Sequence, residues 1–587
     1  MFTANFKDTL LDLTHDESVI VSSYNNIEIA FSGKLYNKKE LGFGCETSDP
    51  KAIIDLYQRE GCSSFAKIDG SFTFIIKADS KTIIVRDHHG TNATIYYNKS
   101  SFASSLNLLL STPNCSTTPN YKSIASFLSV GYIETPNSSF EDINKLAAGT
   151  MLTYSGGTIQ TTNLFDTSSI TPNFEKGDLE SLSQEYGELH KKAIERRIGD
   201  SQNVGILLSG GYDSGCNLAA LRKIYDGDIH SFSIGFKGDN WSELPLAKKM
   251  SDTFRTIHNQ YEIDGSEIMA LPSIIKELGD PFVEGGLMVN YAAMRMIGET
   301  KPDIILGGDG SDQYFGTSGR EVAINHLASI YGMKPLLESA NHILSQEKYD
   351  KNNKPYKIHF HLNKILNILQ GDMFGLEPFQ LKSLLQDKTL VPTLASPKID
   401  NRSFEHLYTQ HAYIADLEKT INQVILFKAS RMADMFGNKM AFPYMDIYLY
   451  DFLKALPVSY KCKGNSPLDI ARGRVTAKFL LKYHYKPMLP KQITEKKKQG
   501  GFAPMPIFFN DKVRRDKIAD FLMSSSVTND FLDRVSLEKF IHTYDSEATN
   551  SGNWFWYKQN KAIQYFNLLT IAIWWEIYVK GNSNITL

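Results

Sequence analysis

The pattern of apolar and polar positions divides the chain near residue 170. From about residue 18 to 160, apolar positions form short runs rich in β-branched and aromatic residues, which predicts a domain of antiparallel strands. The runs are VIVSSYNNIEIAFSG, SFTFIIKADSKTIIVRD and TIYYN. A polar, turn-rich stretch, GGTIQTTNLFDTSSITPNFEKGD, follows them. We place a boundary in or near it, with domains over residues 1–165 and 178–587.

From about residue 178 the pattern changes, and predicted helices alternate with predicted strands. LESLSQEYGELHKKAIERRI predicts a helix, VGILLS a short buried strand, and GCNLAALRKIYD a second helix. HSFSIGF and DIILGG predict two further buried strands. Because strands that alternate with helices form parallel sheets, we expect an α/β fold. After about residue 320 the pattern is mainly helical, and it ends in an aromatic-rich helix from Trp554 to Tyr578.

Composition excludes several classes of function. With 42% apolar and 22% charged residues, the chain resembles an ordinary folded protein and not a disordered one. Lysine and arginine number 63 against 65 acidic residues, a net charge of −2, so no basic excess indicates a nucleic-acid partner. The five cysteines are odd in number, lie far apart and form no C-x-x-C pair. This argues against a zinc site or a disulfide framework and favours the reducing cytoplasm.

The sequence also predicts no membrane partner. Its first residues, MFTANFKDTL, lack the basic, apolar and small-residue order of a signal peptide. The most apolar stretch, Leu568 to Trp575, is about eight residues long, whereas a membrane span needs roughly 20. We therefore expect a cytoplasmic protein.

The strongest chemical signal is SGGYDS at residues 209–214. It lies between a predicted strand and a predicted helix, where glycines allow a tight turn and backbone N–H groups can approach an anion. Such a loop can bind phosphate or pyrophosphate, and Asp213, placed among phosphates, then fits a ligand for Mg²⁺. The alternative is a turn with a helix cap. No G-x-x-x-x-G-K-[ST] motif occurs, so this is not a Walker loop.

The loop resembles the pyrophosphate loop of N-type ATP pyrophosphatases, which split ATP into AMP and pyrophosphate. Further segments resemble asparagine synthetases and occur in that family's order: FSIGF at 232–236, GGDGSDQYFG at 307–316, KASRMADMFGNKMAFPYMD at 428–446 and KKKQGGF at 496–502. The resemblance implies a parallel-sheet synthetase domain of the adenine-nucleotide α-hydrolase-like type, with a helical C-terminal part.

The resemblance also implies site residues and cofactors. For ATP and its pyrophosphate these are Leu208, Ser209, Gly210, Gly211, Asp213, Ser214, Ile234, Gly307 and Gly308. Asp213 and Asp312 would bind Mg²⁺. Lys498 would neutralise charge during adenylation and amine attack; it is favoured over Lys496 and Lys497 because it keeps the family's spacing to the following Gln-Gly. Asp309 replaces the family's glutamate as the base or amine-positioning carboxylate.

The N-terminal third resembles the glutaminase domain of glutamine-dependent asparagine synthetases, an N-terminal-nucleophile (Ntn) fold. The similar segments are FSGKLYN at 31–37, IDGSF at 68–72 and RDHHG at 86–90, whose histidine pair we expect in a loop and not at a metal. The family's nucleophile is a cysteine at the mature N-terminus, but position 2 is Phe2. Ser32 and Lys34 stand where the family has asparagine and glutamate. We expect the fold to persist without glutamine hydrolysis.

The substrate side also departs from the family. Two acids and an arginine of the K-x-D-R…L-E-x-R-x-P-F-L-D pattern become Ser430, Lys439 and Ala441. We expect the charge reversal at Lys439 to lie near the substrate and to disfavour ordinary aspartate amidation. The pattern is similar to β-lactam synthetases and lasso-peptide cyclases.

The sequence thus predicts an ATP- and Mg²⁺-dependent, AMP-forming amide synthetase. It would adenylate a small-molecule or peptide carboxylate and condense it with an amine. Two alternatives stay open: asparagine synthesis from free ammonia, and a catalytically inactive nucleotide-binding scaffold. The carboxylate, the amine and the oligomeric state are not determined, and a homo-oligomer or a precursor-peptide partner stays open.

Overall fold

Two antiparallel sheets occupy residues 2–163 of this computed structural model. The model describes residues 1–10, 13–78, 80–113, 115–164, 177–238, 242–316, 319–371, 375–393, 397–495, 503–582 and 584–587, without the side chain of Ala548. The five-stranded sheet has the spatial order Thr14–His15, Phe2–Asn5, Ser101–Ala103, Tyr96–Tyr97 and Asn144–Lys145. The six-stranded sheet has the order Thr158–Asn163, Thr150–Ser155, Lys81–Arg86, Gly70–Ala78, Ile27–Leu35 and Val19–Tyr24.

The strand predictions for this region are confirmed, with two differences. The first strand, Phe2–Asn5, begins well before residue 18, and the region is not made of strands alone. It also contains the helices Asp49–Glu60, Gly61–Lys67 (a 3₁₀ helix), Leu106–Leu110 and Tyr121–Val130. Asp49–Glu60 covers the six-stranded sheet with an apolar face that includes Ile53 and Leu56. Helix spacing in these short segments is hard to distinguish from strand alternation, which explains the difference.

A five-stranded parallel sheet forms the centre of the second half. Its spatial order is Ile257–Ile263, Ile229–Phe236, Val204–Leu207, Ile304–Leu306 and Met440–Ala441. In chain order this is 3-2-1-4-5, so the direction of winding reverses between Val204–Leu207 and Ile304–Leu306. Ligands of open α/β sheets bind beyond the carboxyl ends of the strands at such a reversal. Together with the antiparallel sheets, this arrangement confirms the predicted α/β class.

Helices surround the parallel sheet and form most of the chain beyond it. The α-helices are Leu179–Ile198, Tyr212–Ile224, Leu244–Phe254, Leu271–Leu278, Leu287–Ile297, Ser311–Phe315, Gly319–Ile330, Lys334–Leu344, Lys354–Leu366, Pro378–Leu384, Phe404–His411, Leu426–Met435, Ile447–Ala455, Val458–Lys461, Pro467–Ala471, Phe479–Tyr485, Lys491–Thr494, Lys512–Ser524, Val527–Asp530, Arg534–Thr543 and Phe555–Tyr578. Ala412–Ile425 and Tyr544–Ala548 are π-helical. The remaining elements are the 3₁₀ helices Ser266–Ala270, Glu347–Tyr349, Lys388–Leu390, Pro443–Met445 and Met505–Phe509, and the strand pair Cys462–Lys463 and Thr476–Ala477.

The last helix, Phe555–Tyr578, runs through the interior of the molecule. Its Trp574 and Trp575 are fully buried and pack against Phe140 and Tyr121 of the N-terminal half, with ring centroids 5.5 and 5.9 Å apart. In the described part of the chain, no helix is both long enough and apolar enough to span a bilayer.

A buried ion cluster also joins the two halves. The guanidinium of Arg197, on helix Leu179–Ile198, lies 3.2 Å from Asp69 of the N-terminal half and 2.8 Å from Asp446. Its Nε donates to the carbonyl of Phe442 at 2.8 Å. Removing one member of such a buried cluster leaves an uncompensated charge, which costs about 3–5 kcal/mol of stability. The halves therefore form a specific, polar contact close to the parallel sheet.

Candidate active site

The loop from residue 208 to 214 lies at the reversal point of the parallel sheet. Strand Val204–Leu207 leads into it, and helix Tyr212–Ile224 begins at its end. Gly210 has φ +68°, and a Cβ there would lie 2.9 Å from the carbonyl of Glu243. Both the left-handed backbone and the close approach require glycine. The loop is therefore shaped by its sequence to present backbone to the space beyond the strand.

Polar groups face that space from the start of the helix. No side chain caps the first N–H groups of Tyr212–Ile224. The hydroxyls of Ser209 and Ser214 are 3.1 Å apart, and the Ser214 Oγ accepts the Ser209 N–H at 3.1 Å. Uncapped helix N–H groups with adjacent hydroxyl donors suit an anion such as pyrophosphate.

The second predicted loop comes against the first. Gly307 follows strand Ile304–Leu306, and its carbonyl accepts from the side-chain amide of Asn217 at 2.9 Å. Asn217 is held in turn by the buried His190, whose Nε2 is 2.8 Å from the Asn217 Oδ1. A Cβ on Gly308 would lie 3.4 Å from the backbone nitrogen of Ser214, so the two glycine-rich loops touch.

Leu208 and Ile234, two of the residues that the resemblance implies for ATP, lie at the same sheet edge as the glycine-rich loops. The Leu208 N–H donates to the carbonyl of Phe232 at 2.8 Å, and the Leu208 carbonyl accepts from the Ser233 hydroxyl at 2.6 Å. Ile234 lies two residues further along the same neighbouring strand, Ile229–Phe236, and is partly exposed. The structure thus brings the predicted nucleotide residues to one edge of the sheet.

The two predicted magnesium ligands share one ammonium group. Lys478 Nζ lies 2.7 and 2.6 Å from the carboxylate oxygens of Asp213 and 2.5 Å from Oδ1 of Asp312. Ser311 also donates its hydroxyl to Asp213 at 2.8 Å, and Tyr444 donates to the Asp213 carbonyl at 2.9 Å. Burial opposes the charged form of Lys478, but the two carboxylates outweigh it and raise its pKa. Asp213 and Asp312 are therefore close enough to act on one cation.

The carboxylates of Asp213 and Asp312 fit the way in which nucleotide enzymes bind Mg²⁺. Mg²⁺ typically takes one or two carboxylates and completes its coordination with water and substrate phosphates. Asp213 and Asp312 supply such carboxylates beside the loop of residues 209–214, and their ion pairs with Lys478 show that positive charge is favoured there. Across the described ranges, no cluster of three or more histidine, cysteine or acidic side chains could hold a metal alone.

A second charged group lies around Asp309. Glu284 and Lys428 form a buried ion pair, and a Cβ on Gly286 would lie only 2.4 Å from Lys428 Nζ. Burial raises the pKa of Asp309 to about 6; Lys428 opposes this shift, while Glu284 and Asp213 add to it. A carboxylate with a pKa near 6 is ionised at neutral pH yet basic enough to accept a proton.

Lys498, with Lys496 and Lys497, lies outside the described residues, so its prediction stays a prediction. The chain on either side is described. Before the segment, the Thr494 carbonyl lies 3.5 Å from the hydroxyl of Tyr212, the first residue of helix Tyr212–Ile224. After it, the Met505 sulfur would lie 3.9 Å from a Cβ on Gly285, next to Glu284.

Comparison with known proteins agrees with this geometry. The asparagine synthase family model matches residues 185–576, and a glutamine amidotransferase domain model matches residues 2–165. The chain belongs to the asparagine synthase family. The asparagine synthetase 1 of Bacillus subtilis, named as glutamine-hydrolyzing, is 21% identical over 598 residues, or 94% of this chain and 86% of that one.

Other relatives match less of their length. A protein of Methanocaldococcus jannaschii, also named as a glutamine-hydrolyzing asparagine synthetase, is 28% identical over 309 residues, 50% of this chain and 59% of its own. Among solved structures, the ammonia-dependent NAD synthetase of Campylobacter jejuni aligns at 18% identity over 24% of this chain and 62% of that chain, with a TM-score of 0.18.

One substrate-side prediction is wrong. Lys439 is exposed and precedes strand Met440–Ala441, so it lies at the amino edge of the sheet. There its charge assists the backbone N–H groups that lower the pKa of Asp303. The candidate site lies at the opposite, carboxyl edge, so the charge reversal at Lys439 does not border it. Ala441 does border the site, because its carbonyl accepts the N–H of Gly307 at 2.9 Å.

Phe2, the first residue matched by the amidotransferase model, lies in a hydrophobic core. Phe2 is only 2% exposed and packs edge to face on Phe102, at a centroid distance of 6.4 Å. Its N–H donates to the Ser104 hydroxyl at 2.8 Å. Position 2, where the resemblance implies a nucleophile, thus holds a buried phenyl ring. The His88–His89 pair follows strand Lys81–Arg86 in a loop, as expected, although both side chains are buried.

Sequence reasoning missed two side chains of the site. Lys478 lies 265 residues after Asp213, and Glu284 lies 144 residues before its partner Lys428. The only local signal at Lys478 is a cation directly before an apolar helix, Phe479–Tyr485, where a capping residue is usual. Glu284 occurs in VEGG, where two glycines after an acid indicate close packing of backbone.

Proposed function

We propose that this protein is an AMP-forming amide ligase that adenylates a substrate carboxylate with ATP and joins it to an amine. The observation that carries the proposal is the meeting of Asp213 and Asp312 across two touching glycine-rich loops, beside an uncapped helix N-terminus. We also propose a division into domains 1–165 and 178–587, which the matched ranges 2–165 and 185–576 support.

In the first step, an oxygen of the substrate carboxylate attacks the α-phosphorus of ATP. The bond from that phosphorus to the pyrophosphate oxygen breaks, and pyrophosphate leaves into the loop of residues 209–214. Ser209, Ser214 and the first N–H groups of helix Tyr212–Ile224 donate to it. Mg²⁺, when bound by Asp213 and Asp312, supplies charge neutralisation of the phosphates. Lys478 adds a fixed ammonium to the same place, and Lys498 is proposed to do so from the segment between Thr494 and Met505.

In the second step, the amine attacks the acyl carbon and AMP leaves with the former acyl oxygen. The attacking nitrogen must lose a proton. Asp309 is suited to accept it, because it lies beside the nucleotide loop and its pKa of about 6 leaves it ionised at neutral pH. The Glu284–Lys428 pair fixes the charge around it. The product is an amide.

We further propose that the nitrogen does not come from glutamine. The buried Phe2 ring can form no covalent intermediate, and Ser32 and Lys34 occupy positions where the family grips glutamine. The loss of the family's arginine at Ala441, beside Gly307, supports a carboxylate other than aspartate. An amine on the same molecule as the carboxylate, as in lactam or peptide cyclisation, fits both the changed glutamine side and the changed substrate side.

A second candidate is asparagine synthesis from free ammonia. The position of Lys439 favours it, because the residue that argued most strongly against aspartate lies at the far edge of the sheet. Of the three substrate-side substitutions, Ser430 and Ala441 then remain as departures near the site. The two candidates differ in the carboxylate and share the chemistry.

Isotope exchange between pyrophosphate and ATP, driven by a panel of carboxylates that includes aspartate and linear peptides, tests the proposal. We expect exchange with at least one acid in wild type and a loss of about 10²–10³ in Asp213→Asn. Exchange by Asp226→Asn, an exposed acid on the same half, should be unchanged. Wild-type protein that binds ATP but exchanges with no acid would favour the inactive scaffold.

A further inference from the structure

The buried loop histidine His89 belongs to the N-terminal half but reaches into the synthetase half. Its Nδ1 lies 2.9 Å from Oδ1 of Asn422, and its Nε2 lies 2.9 Å from the hydroxyl of Tyr314. His89 is 3% exposed and Tyr314 is 5% exposed. These two hydrogen bonds cross from one half of the molecule to the other and have no part in the reaction proposed above.

The partners fix the protonation of the imidazole. The amide oxygen of Asn422 can only accept, so Nδ1 carries the hydrogen and Nε2 accepts from the Tyr314 hydroxyl. Burial lowers the pKa of His89 to about 4, which keeps the ring neutral near pH 7. Asn422 lies in the π-helical segment Ala412–Ile425, a rare conformation that occurs often at functional sites.

The loop that carries His89 is rigidly held. Asp87 accepts the N–H of His89 at 3.1 Å, of Thr91 at 3.0 Å and of Asn92 at 3.0 Å. Arg86 donates to three carbonyls around the same loop, including that of Gly90 at 3.0 Å. An acceptor held this way can fix the position of whatever bonds to it.

Tyr314 lies on Ser311–Phe315, a five-residue helix that also carries Ser311 and Asp312. A single turn has too few internal hydrogen bonds to define its own position, so external contacts must place it. At its end, Tyr408 donates to the carbonyl of Gly316 at 3.0 Å; on its flank, Tyr314 donates to His89. Where asparagine synthetases have leucine in the G-E-G-A-D-E-L-F-G segment, this chain has Tyr314, which creates that contact.

We propose that His89 is a positioning residue of the synthetase site: through Tyr314 it fixes the turn that presents Asp312 and Ser311 to the Mg²⁺·pyrophosphate group. The N-terminal half, without its own reaction, would thereby serve the other half as a rigid support. This inference rests on the proposed function, because it assigns Asp312 to the metal.

The test measures the dissociation constant of ATP at a series of Mg²⁺ concentrations, together with the melting temperature without ligand. Tyr314→Phe removes only the hydroxyl, and His89→Leu removes the Nε2 acceptor together with the Nδ1–H that donates to Asn422. Each should weaken Mg²⁺-dependent ATP binding about three- to tenfold, the effect of one hydrogen bond. The double variant should bind no more weakly than His89→Leu alone, because the bond between His89 and Tyr314 is already lost in that variant. His89→Gln, which keeps an acceptor, should restore part of the affinity.

Tyr356→Phe is the matched control, because Tyr356 is also buried and its hydroxyl accepts from Asn560 at 3.0 Å, away from the turn. It should lower the melting temperature as Tyr314→Phe does and leave ATP binding unchanged. Wild-type Mg²⁺·ATP affinity in Tyr314→Phe, or additive losses in the double variant, would overturn the inference. If wild-type protein bound no Mg²⁺·ATP, the proposed function itself would fail.

Discussion

The loops around Asp213 and the strand that begins at Phe2 invite comparison, because family motifs assign chemistry to both. Around Asp213, polar groups are brought together from distant parts of the chain: Asp312 and Lys478 lie within hydrogen-bond distance of one another. At Phe2 the opposite holds, and an aromatic side chain completes a core with Phe102. The halves that contain these two places are joined by a buried ion cluster of Arg197, Asp69 and Asp446.

On our proposal, the N-terminal half retains its fold without its reaction, whereas the synthetase half retains both. The antiparallel sheets persist although a packed ring, Phe2, stands where the resemblance implies a nucleophile, since core stability depends on apolar burial and not on reactive side chains. The polar cluster at Asp213 cannot be explained by stability alone, because desolvated charges add little of it. Its retention therefore points to a reaction at the carboxyl edge of the parallel sheet.

The largest expected effect is the loss of exchange activity when the carboxylates of the site are neutralised. Asp213→Asn and Asp312→Asn keep side-chain size and remove the charge that Mg²⁺ needs, so carboxylate-driven ATP–pyrophosphate exchange should fall about 10²–10³-fold in each. Circular dichroism should show an unchanged fold. Near-normal exchange in either variant would remove that residue from the metal site.

Replacing the predicted charge-neutralising lysine should have an effect nearly as large. Lys498→Met keeps most of the stem, and we expect the rate of amide formation to fall about 10²–10³-fold with little change in ATP affinity. Lys496→Met and Lys497→Met are the controls and should cost less than about tenfold. A crippled Lys497→Met beside a mild Lys498→Met would mean that the motif register is wrong by one residue.

Placing a thiol at position 2 tests the N-terminal half of the comparison. Phe2→Cys should lower the free energy of unfolding by about 3 kcal/mol, because it removes a buried ring, and denaturant titration would measure this. It should not create glutaminase activity, since Ser32 and Lys34 still replace the family's glutamine contacts. Glutamate release by Phe2→Cys at an enzymatic rate would show that the glutamine pocket survives.

The smallest expected effect is a pH dependence confined to the second step. With a pKa of about 6, Asp309 is protonated below that pH and ionised above it. As a base it acts only when ionised, so amide formation should fall about tenfold per pH unit below 6 and level off above. Rates are compared at equal concentrations of free amine. The exchange reaction, which needs no base, should lack this limb; the same limb in Asp309→Asn would assign it to another group.

Local sequence predicted the elements that carry the site, and for a physical reason. The helix Leu179–Ile198 and the strand Val204–Leu207 follow from periodicity, and the 209–214 loop follows from glycines that the turn requires. Segments that depend on their neighbours were missed or mistaken. Strand Met440–Ala441 has only two residues and exists through its pairing with Ile304–Leu306, so no pattern could show that Lys439 lies at the far edge.

Contacts between residues far apart in the chain could not be predicted from the sequence either. Lys478 meets Asp213, and His89 meets Tyr314, across more than 200 residues of chain. Their side chains are ordinary in local context, and only the packed fold brings them together. The motif resemblance located the ATP side because its residues are contiguous; it could not supply the partners that hold them.

The most direct measurement is the amount of AMP and glutamate formed in one reaction, by quantitative mass spectrometry. The mixture contains the protein, Mg²⁺, ATP, glutamine, ammonium and the carboxylates that support exchange. We predict that AMP accumulates, that Asp213→Asn abolishes it, and that glutamate stays at the level of a protein-free blank. Glutamate formed in step with AMP would contradict a ligase that works without glutamine hydrolysis.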